Sequence, residues 1–217
     1  MSLAIFDLDN TLIAGDSDHL WGEFLIEQGK VDAEHYRERN DFFYTAYQQG
    51  TLDIHAYLEF ALAPLRGFSQ DELAALHLAF MQHKIHPIIL PKAKALIEEH
   101  RNNDDTLLII TATNRFITGP IARLLEIPHL LASEPELHEG RYTGRATGIP
   151  CFQDGKVKRL QEWLDATGQT LSTSYFYSDS ANDIPLLQAV SHPVAVDPDT
   201  RLRDFAFDNG IPIISLR

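Results

Sequence analysis

Apolar positions change their period along the chain. Residues 3–8 form a short, nearly unbroken apolar run interrupted and followed by acids, Asp7 and Asp9. That pattern predicts a strand buried on both faces of a parallel sheet. From about Ser17 to His86 only helical signals appear. Asp53 and Ser69 stand where N-caps belong, and Ser69 with Glu72 spells a capping box. Trp21, Phe24, Phe43, Tyr44, Tyr47, Tyr57 and Phe60 recur at helical spacing, and Pro64, Gly67 and Pro87 punctuate the segment. The region reads as a helical insert whose aromatic stripe is its own core, with one or two rings available to line a pocket.

From Pro91 the pattern alternates. It predicts helices over 92–101, 118–125, 156–166 and 182–189, strands over 106–110, 175–177, 193–196 and 212–215, and a hairpin turning at Glu139-Gly140 between 135–138 and 142–146. Alternation of this kind implies an α/β fold, a parallel sheet with helices on both faces and ligands outside the carboxyl ends of the strands. No internal repeat or low-complexity segment interrupts it.

Three of the predicted strands end in polar chemistry. The first continues as Asp7-Leu8-Asp9-Asn10-Thr11, the second as Thr111-Ala112-Thr113-Asn114 and the third as Ser178-Asp179-Ser180-Ala181-Asn182-Asp183. Asp154-Gly155-Lys156 opens the helix before the third. Residues two apart on a strand project the same way, which predicts that Asp7 and Asp9 lie together at the sheet edge. Singly, each feature has an ordinary reading: an acidic turn, a hydroxyl cap, a solvated lysine. Their order along one sheet edge is the informative part.

Composition narrows the partners. The formal net charge of −13 argues against a broad nucleic-acid surface, and an anionic substrate then needs a metal or a few local cations to hold it. The single cysteine, Cys151, rules out an intramolecular disulfide and reads as a structural thiol. The first residues carry no basic region or cleavage site, and no stretch approaches the roughly 18 apolar residues of a spanning helix, so a cytoplasmic protein without a membrane partner is expected. Monomer and homodimer are both compatible with the pattern.

The four quoted segments, in this order, resemble the haloacid dehalogenase-like hydrolase superfamily over essentially the whole chain. The helical insert between the first and second motifs resembles the cap of its phosphoserine-phosphatase-like branch. The resemblance implies a Rossmann-like doubly wound parallel sheet core, formed by residues 1–15 and 88–217, with a cap over 16–87. It also implies a Mg²⁺-dependent phosphomonoester hydrolase acting through an aspartyl-phosphate. Asp7 would be the nucleophile and Asp9 the acid and base. Asp7, the backbone carbonyl of Asp9 and Asp179 would be the metal ligands, with Asn182 and Asp183 in support. Thr111, Ala112 and Lys156 would bind the phosphate. Lys156 fits because it follows Gly155 and precedes the apolar Leu160 by four residues; Lys158 is the alternative, with a solvated charge as its ordinary reading.

Substrate choice falls to the cap. In phosphoserine phosphatases an acid nine residues after the nucleophile reads the substrate amine, and Asp16 stands at that spacing; capping the following helix is its equal alternative. The arginine that holds the serine carboxylate in those enzymes aligns with Ala61, and Arg66 is the nearest arginine. The expected substrate is therefore a small phosphorylated metabolite with an amine but no carboxylate, histidinol phosphate first and phosphoethanolamine next. Phosphoserine, a phosphotransferase reaction and a non-catalytic phosphate-binding role are the alternatives. His83 and His86, three residues apart, read as a surface pair.

Overall fold

At the middle of the sheet lies the four-residue strand β1 (Leu3–Phe6), every residue of it buried. The computed structural model describes residues 2–217. β1 pairs in parallel with β2 (Thr106–Asn114) on one side and with β5 (Ser174–Ser178) on the other. Outward from β2 come β3 (His129–His138) and β4 (Arg141–Thr147); outward from β5 come β6 (His192–Val196) and β7 (Ile213–Ile214). The sheet runs β4-β3-β2-β1-β5-β6-β7, and the β3–β4 hairpin is its one antiparallel ladder. Alternate residues of the central strands feed two clusters. Ala4, Phe6, Leu107, Ile109 and Tyr177 face one side, and Leu3, Ile5, Leu108, Ile110 and Phe176 the other. The doubly wound architecture follows, because a strand apolar at every position needs a helical layer on both faces.

Between β1 and β2 the chain is helical. α1 (Ser17–Glu27), α2 (Ala33–Gln49), α3 (Ile54–Leu62) and α4 (Gln70–Phe80) start at the side-chain caps Asp16, Asp32, Asp53 and Ser69. The Ser69–Glu72 capping box is formed in both directions. Gly50 ends α2 in the left-handed conformation at φ 72°, a C-terminal stop that an L side chain takes only at a cost. A π-turn over Met81–Ile85 and a short 3₁₀ turn lead on to α5 (Pro91–Asn102).

The aromatic stripe of this segment divides in two. Tyr36, Phe43, Tyr57 and Phe60 pack on one another at centroid distances of 4.5–5.3 Å and form the separate core that was expected. Trp21 and Phe24 do not. They join Phe80 and the main cluster over the sheet, with Trp21 edge-on to Phe80 at 5.1 Å and to Phe116 at 5.3 Å. The physical reason is that α1 packs against α6 (Arg115–Leu124), which follows β2 on that face of the sheet.

The C-terminal half differs in detail from the pattern read off the sequence. β3 begins six residues before the expected hairpin arm, because its first half pairs in parallel with β2 and only its second half turns to β4. After α7 (Asp154–Thr167), the expected helix over 182–189 shortens to a 3₁₀ turn at Ala181–Asp183 and α8 (Ile184–Leu187), with Pro185 at its start. An additional helix, α9 (Thr200–Asn209), is capped by Asp199, whose Oδ1 accepts from the Leu202 amide at 2.7 Å. Only Leu202 and Ala206 of α9 are buried, which leaves little apolar periodicity to detect. Among the described residues no helix is long and apolar enough to cross a membrane.

Candidate active site

The carboxyl ends of β1 and β2 open into a cavity roofed by α1, α2 and α3. Asp7, Asp9 and Thr111 to Thr113 line its floor; Asp16, Asp18, His19, Asn40, Phe43, Tyr44, Tyr47 and Tyr57 line its walls. β1 ends at Phe6, but the Asp7 amide still donates to Tyr177 O at 2.9 Å, so Asp7 keeps strand geometry at the lip of the sheet. The chain then turns through Asn10 at φ 57°.

Asp7 is 3% exposed, and its Oδ1 accepts from Lys156 Nζ at 2.8 Å. The same ammonium donates to Asp183 at 2.8 Å, and Ser178 Oγ donates to Asp183 Oδ2 at 2.7 Å. Lys156 is itself buried, on the first turn of α7. Its approach depends on Gly155, where an added Cβ would fall 2.1 Å from the Pro150 carbonyl oxygen. Lys158, the alternative lysine, is exposed. Burial pulls the Lys156 ammonium down, but the Asp183 and Asp7 charges outweigh it and hold the group protonated. Burial pushes the Asp7 carboxyl up to about 7, against the pull of Lys156 and with the Asp183 and Asp9 charges adding to the rise.

Asp9 faces the same space. Its Oδ1 accepts from the Ser17 amide at 2.6 Å, and its Oδ2 accepts from Thr113 Oγ1 at 2.9 Å and Thr111 Oγ1 at 3.3 Å. Burial still raises its carboxyl above the ordinary range. β2 loses register with β3 between Ile110 and Asn114, which turns the Thr111–Thr113 backbone toward the cavity. The Ala112 carbonyl accepts from Ser133 Oγ at 2.8 Å, which steadies that bulge from behind.

Asp179 lies beside the floor, in a neighbouring cleft that shares Tyr44 and Tyr47 with the cavity. Thr11 Oγ1 donates to Asp179 Oδ1 at 3.1 Å and accepts from the Asp179 amide at 3.1 Å, tying the first acidic segment to the third. Burial, followed by the Asp7 and Asp183 charges, lifts Asp179 well above the ordinary carboxylate range. Asp199 supports this loop, its Oδ2 accepting from the Ala181 amide at 2.8 Å. Asn182 reaches the roof instead: its Nδ2 donates to the Tyr47 carbonyl at 3.0 Å, while Gln153 donates to its Oδ1.

At the other end of the cavity Asp16 is the N-cap of α1, its Oδ1 accepting from the amides of Asp18 at 3.0 Å and His19 at 2.9 Å. Asn40 Nδ2 donates to the His19 carbonyl at 3.0 Å and lies 3.0 Å from His19 Nδ1. Ala61 is buried on α3, and Arg66 is exposed beside Gly144 of β4, outside the cavity lining. His83 and His86 are exposed. Cys151 is buried, and burial pushes its thiol up to about 12.

Thr11, Thr113, Ser178 and Asp199 were not singled out from the sequence. Thr113 was detectable, because the alternation that pairs Asp7 with Asp9 also pairs Thr113 with Thr111.

The sequence model of the haloacid dehalogenase-like hydrolase family matches residues 4–188. The chain belongs to that family. Within it, the hydrolase falls among the phosphatases, in the branch of the phosphoserine phosphatases. It is 46% identical to a histidinol-phosphatase of Neisseria meningitidis serogroup C (strain 8013), over 100% of this chain and 99% of that one. It is 32% identical to a phosphoserine phosphatase of Mycobacterium tuberculosis (strain ATCC 25618 / H37Rv), over 99% of this chain and 70% of the relative. A protein of unknown function from Bordetella pertussis Tohama I has a crystal structure that superposes with a TM-score of 0.94 at 43% identity, covering 100% and 99% of the two chains. A substrate-bound phosphoserine phosphatase shares the hydrolase's fold, with a TM-score of 0.71 at 16% identity over 94% of this chain and 89% of that one.

Proposed function

We propose that this hydrolase is a Mg²⁺-dependent phosphomonoesterase that works through an aspartyl-phosphate on Asp7, and that its substrate is a small phosphorylated amino alcohol, histidinol phosphate first. The observation that carries the reading is Asp7 itself: a buried carboxylate at the sheet edge, oriented by Lys156 and open to the cavity. Residues 16–87 act as a cap that selects the leaving group over a core formed by 1–15 and 88–217.

The donor set fits a hard divalent cation. Four carboxylates, Asp7, Asp9, Asp179 and Asp183, converge on the floor, and Lys156 is the one ammonium bonded among them. Asp7, the Asp9 carbonyl and Asp179 would hold Mg²⁺, which takes oxygen ligands. When bound, the ion supplies positive charge that lets an anionic nucleophile approach an anionic phosphoryl group.

The chain's own residues do the rest. A carboxylate oxygen of Asp7 attacks phosphorus as the bond to the leaving oxygen breaks, and Asp9 gives that oxygen its proton. Water then attacks the phosphorus of the aspartyl-phosphate, Asp9 takes the water's proton, and Asp7 is released with inorganic phosphate. Lys156 and the Thr111–Ala112 backbone hold phosphate oxygens, while Asp183, Ser178 and Asn182 keep Lys156 and the roof in position. Asp16 adds negative charge to the wall that meets the leaving group.

The 46% identity to a histidinol-phosphatase along the whole chain supports the substrate, as does a cavity lining without arginine or lysine, which offers nothing to a serine carboxylate. The test is phosphate release, with Mg²⁺ and with excess EDTA, from histidinol phosphate, phosphoethanolamine, phosphoserine and a sugar phosphate. Metal-dependent turnover highest on histidinol phosphate is expected. Equal turnover of the sugar phosphate would sink the substrate class, and phosphate passed to an added alcohol in preference to water would make the enzyme a transferase.

A further inference from the structure

On the first turn of α1, Asp18 lines the cavity at 6% exposure, and its Oδ2 has no hydrogen-bond partner. Burying a carboxylate oxygen without a partner is costly, and a ligand that completes it is one explanation for its retention. Asp18 is an acid in the first turn of α1 and is bonded by the Tyr57 hydroxyl, but neither satisfies its Oδ2. The backbone amide of Asp18 is the group that Asp16 caps, and the Asp18 side chain caps nothing. Burial pushes its carboxyl up to about 7, the Tyr57 hydroxyl is the one neighbour holding it down, and the Asp9 charge raises it further. Among the described residues no cationic side chain is one of the groups acting on it. The one imidazole on the wall, His19, has its Nδ1 in contact with Asn40 Nδ2 at 3.0 Å.

We infer that Asp18, and not the helix-capping Asp16, receives the ammonium group of the substrate, with the rings of Tyr57, Phe43 and Tyr44 forming the wall around it. The inference rests on the amino-alcohol reading above and gives it a recognition residue. Asp16 Oδ1 already satisfies two amides of the helix end, whereas Asp18, which lines the same cavity, has a buried Oδ2 with no partner at all. An ammonium placed there meets an anion and the faces of aromatic rings, an environment that favours a cation over any neutral group. The same wall repels a second carboxylate, which separates this cavity from one made for phosphoserine.

The experiment compares histidinol phosphate with the same ester carrying hydrogen in place of the amino group. For the wild type the ratio of kcat/KM should favour the amine at least about 30-fold, a discrimination of the size a charge-assisted hydrogen bond supplies. Asp18→Asn should bring that ratio to within about threefold, chiefly through KM of the aminated ester, and Asp18→Glu should restore part of it. A merely structural Asp18 would lower kcat/KM for both esters alike and leave the ratio unchanged. That result would overturn the inference while leaving the phosphatase reading intact. A wild type that cleaves the two esters equally, or neither, would overturn the amino-alcohol reading and the inference with it. Should Asp18→Asn fail to fold, a crystal structure of the wild type with histidinol decides: the amino nitrogen within about 3 Å of an Asp18 oxygen supports the inference, and the nitrogen on Asp16 or elsewhere overturns it.

Discussion

At the sheet end of the cavity, Asp7 and Asp183 share one ammonium at 2.8 Å each, Asp9 takes three donors, and Asp179 is held by Thr11. At the α1 end, Asp16 is used by the helix terminus and Asp18 has an oxygen that bonds to nothing. Both ends are acidic and largely buried, yet the first is fixed in advance and the second waits for a partner. The difference follows the chemistry each must do. A phosphoryl group is the same in every substrate, so the groups around it profit from being pre-set. A leaving group is recognised by what it brings, and an unpaired anion in an aromatic wall is a receptor for positive charge.

Removing the attacking oxygen is the strongest way to break the sheet end. Asp7→Asn should lower kcat by about 10⁴-fold or more, as for other catalytic groups that act as a unit. The variant should still fold, because Lys156 retains Asp183. Single-turnover phosphate release together with a thermal melt checks both statements; substantial residual turnover would reassign the nucleophile.

Next in size is the ammonium that links the floor together. Lys156→Met leaves Asp7 and Asp183 buried without their shared counter-ion, and breaking a buried pair in this way costs about 3–5 kcal/mol. The melting temperature should fall accordingly, by about 2–4 °C per kcal/mol for a chain of this length. Lys158→Ala, on the exposed side of the same helix, should change neither the melt nor turnover. A mild Lys156 variant would mean that the floor is less tightly coupled than its distances indicate.

Thr113→Val tests a finer part of the same end. It removes the shorter of the two hydroxyl contacts to Asp9 Oδ2 and nothing larger. Hydrogen bonds to charged groups are worth about 1.5–3 kcal/mol, so kcat/KM should drop about 10- to 100-fold with the fold retained. Thr111→Val, at the longer contact, should cost less if Asp9 is what matters, and more if phosphate binding at Thr111 dominates.

The two ends also differed in how far the sequence disclosed them. The floor is built from contiguous segments, so Asp7, Asp9, Thr111, Lys156, Asp179 and Asp183 could be named from their order and the family it resembles, and the structure links Asp7 to Asp183 through Lys156, Asp9 to Thr111, and Asp179 to Thr11 of the first acidic segment. The central strands were equally plain, because a strand buried on both faces is apolar at every position. The roof was not. Whether Asp16 or Asp18 is the spare acid depends on which one caps α1, a matter of backbone geometry in a stretch where both residue types suit a cap. Trp21 and Phe24 looked like the other aromatics of the insert, since helical periodicity shows that a face is buried and not what buries it. β3 was half missed because its first residues belong to a parallel edge and its last to a hairpin, and α9 because two buried residues leave too weak a period.

The smallest expected effect bears on the α1 end, and there the direction matters more than the size. An unpaired buried carboxylate burdens the free protein, so Asp18→Asn should stabilise it by about 1–3 kcal/mol at neutral pH while it loses discrimination. The sign of the pH dependence follows from the raised carboxyl. Above about 3.8 the unfolded chain has released the Asp18 proton, and the native state keeps it up to about 7. Across that interval the native state binds more protons, so the stability of the wild type falls as pH rises, and the loss is complete above 7. Asparagine has no such proton. The melting temperature of Asp18→Asn minus that of the wild type should therefore be near zero at pH 4, grow through pH 5 and 6, and level off beyond pH 7. Melts without substrate at those pH values measure the difference directly. A gap that stayed flat across the range would mean that Asp18 finds a partner in the free protein, and the contrast between the two ends of the cavity would disappear.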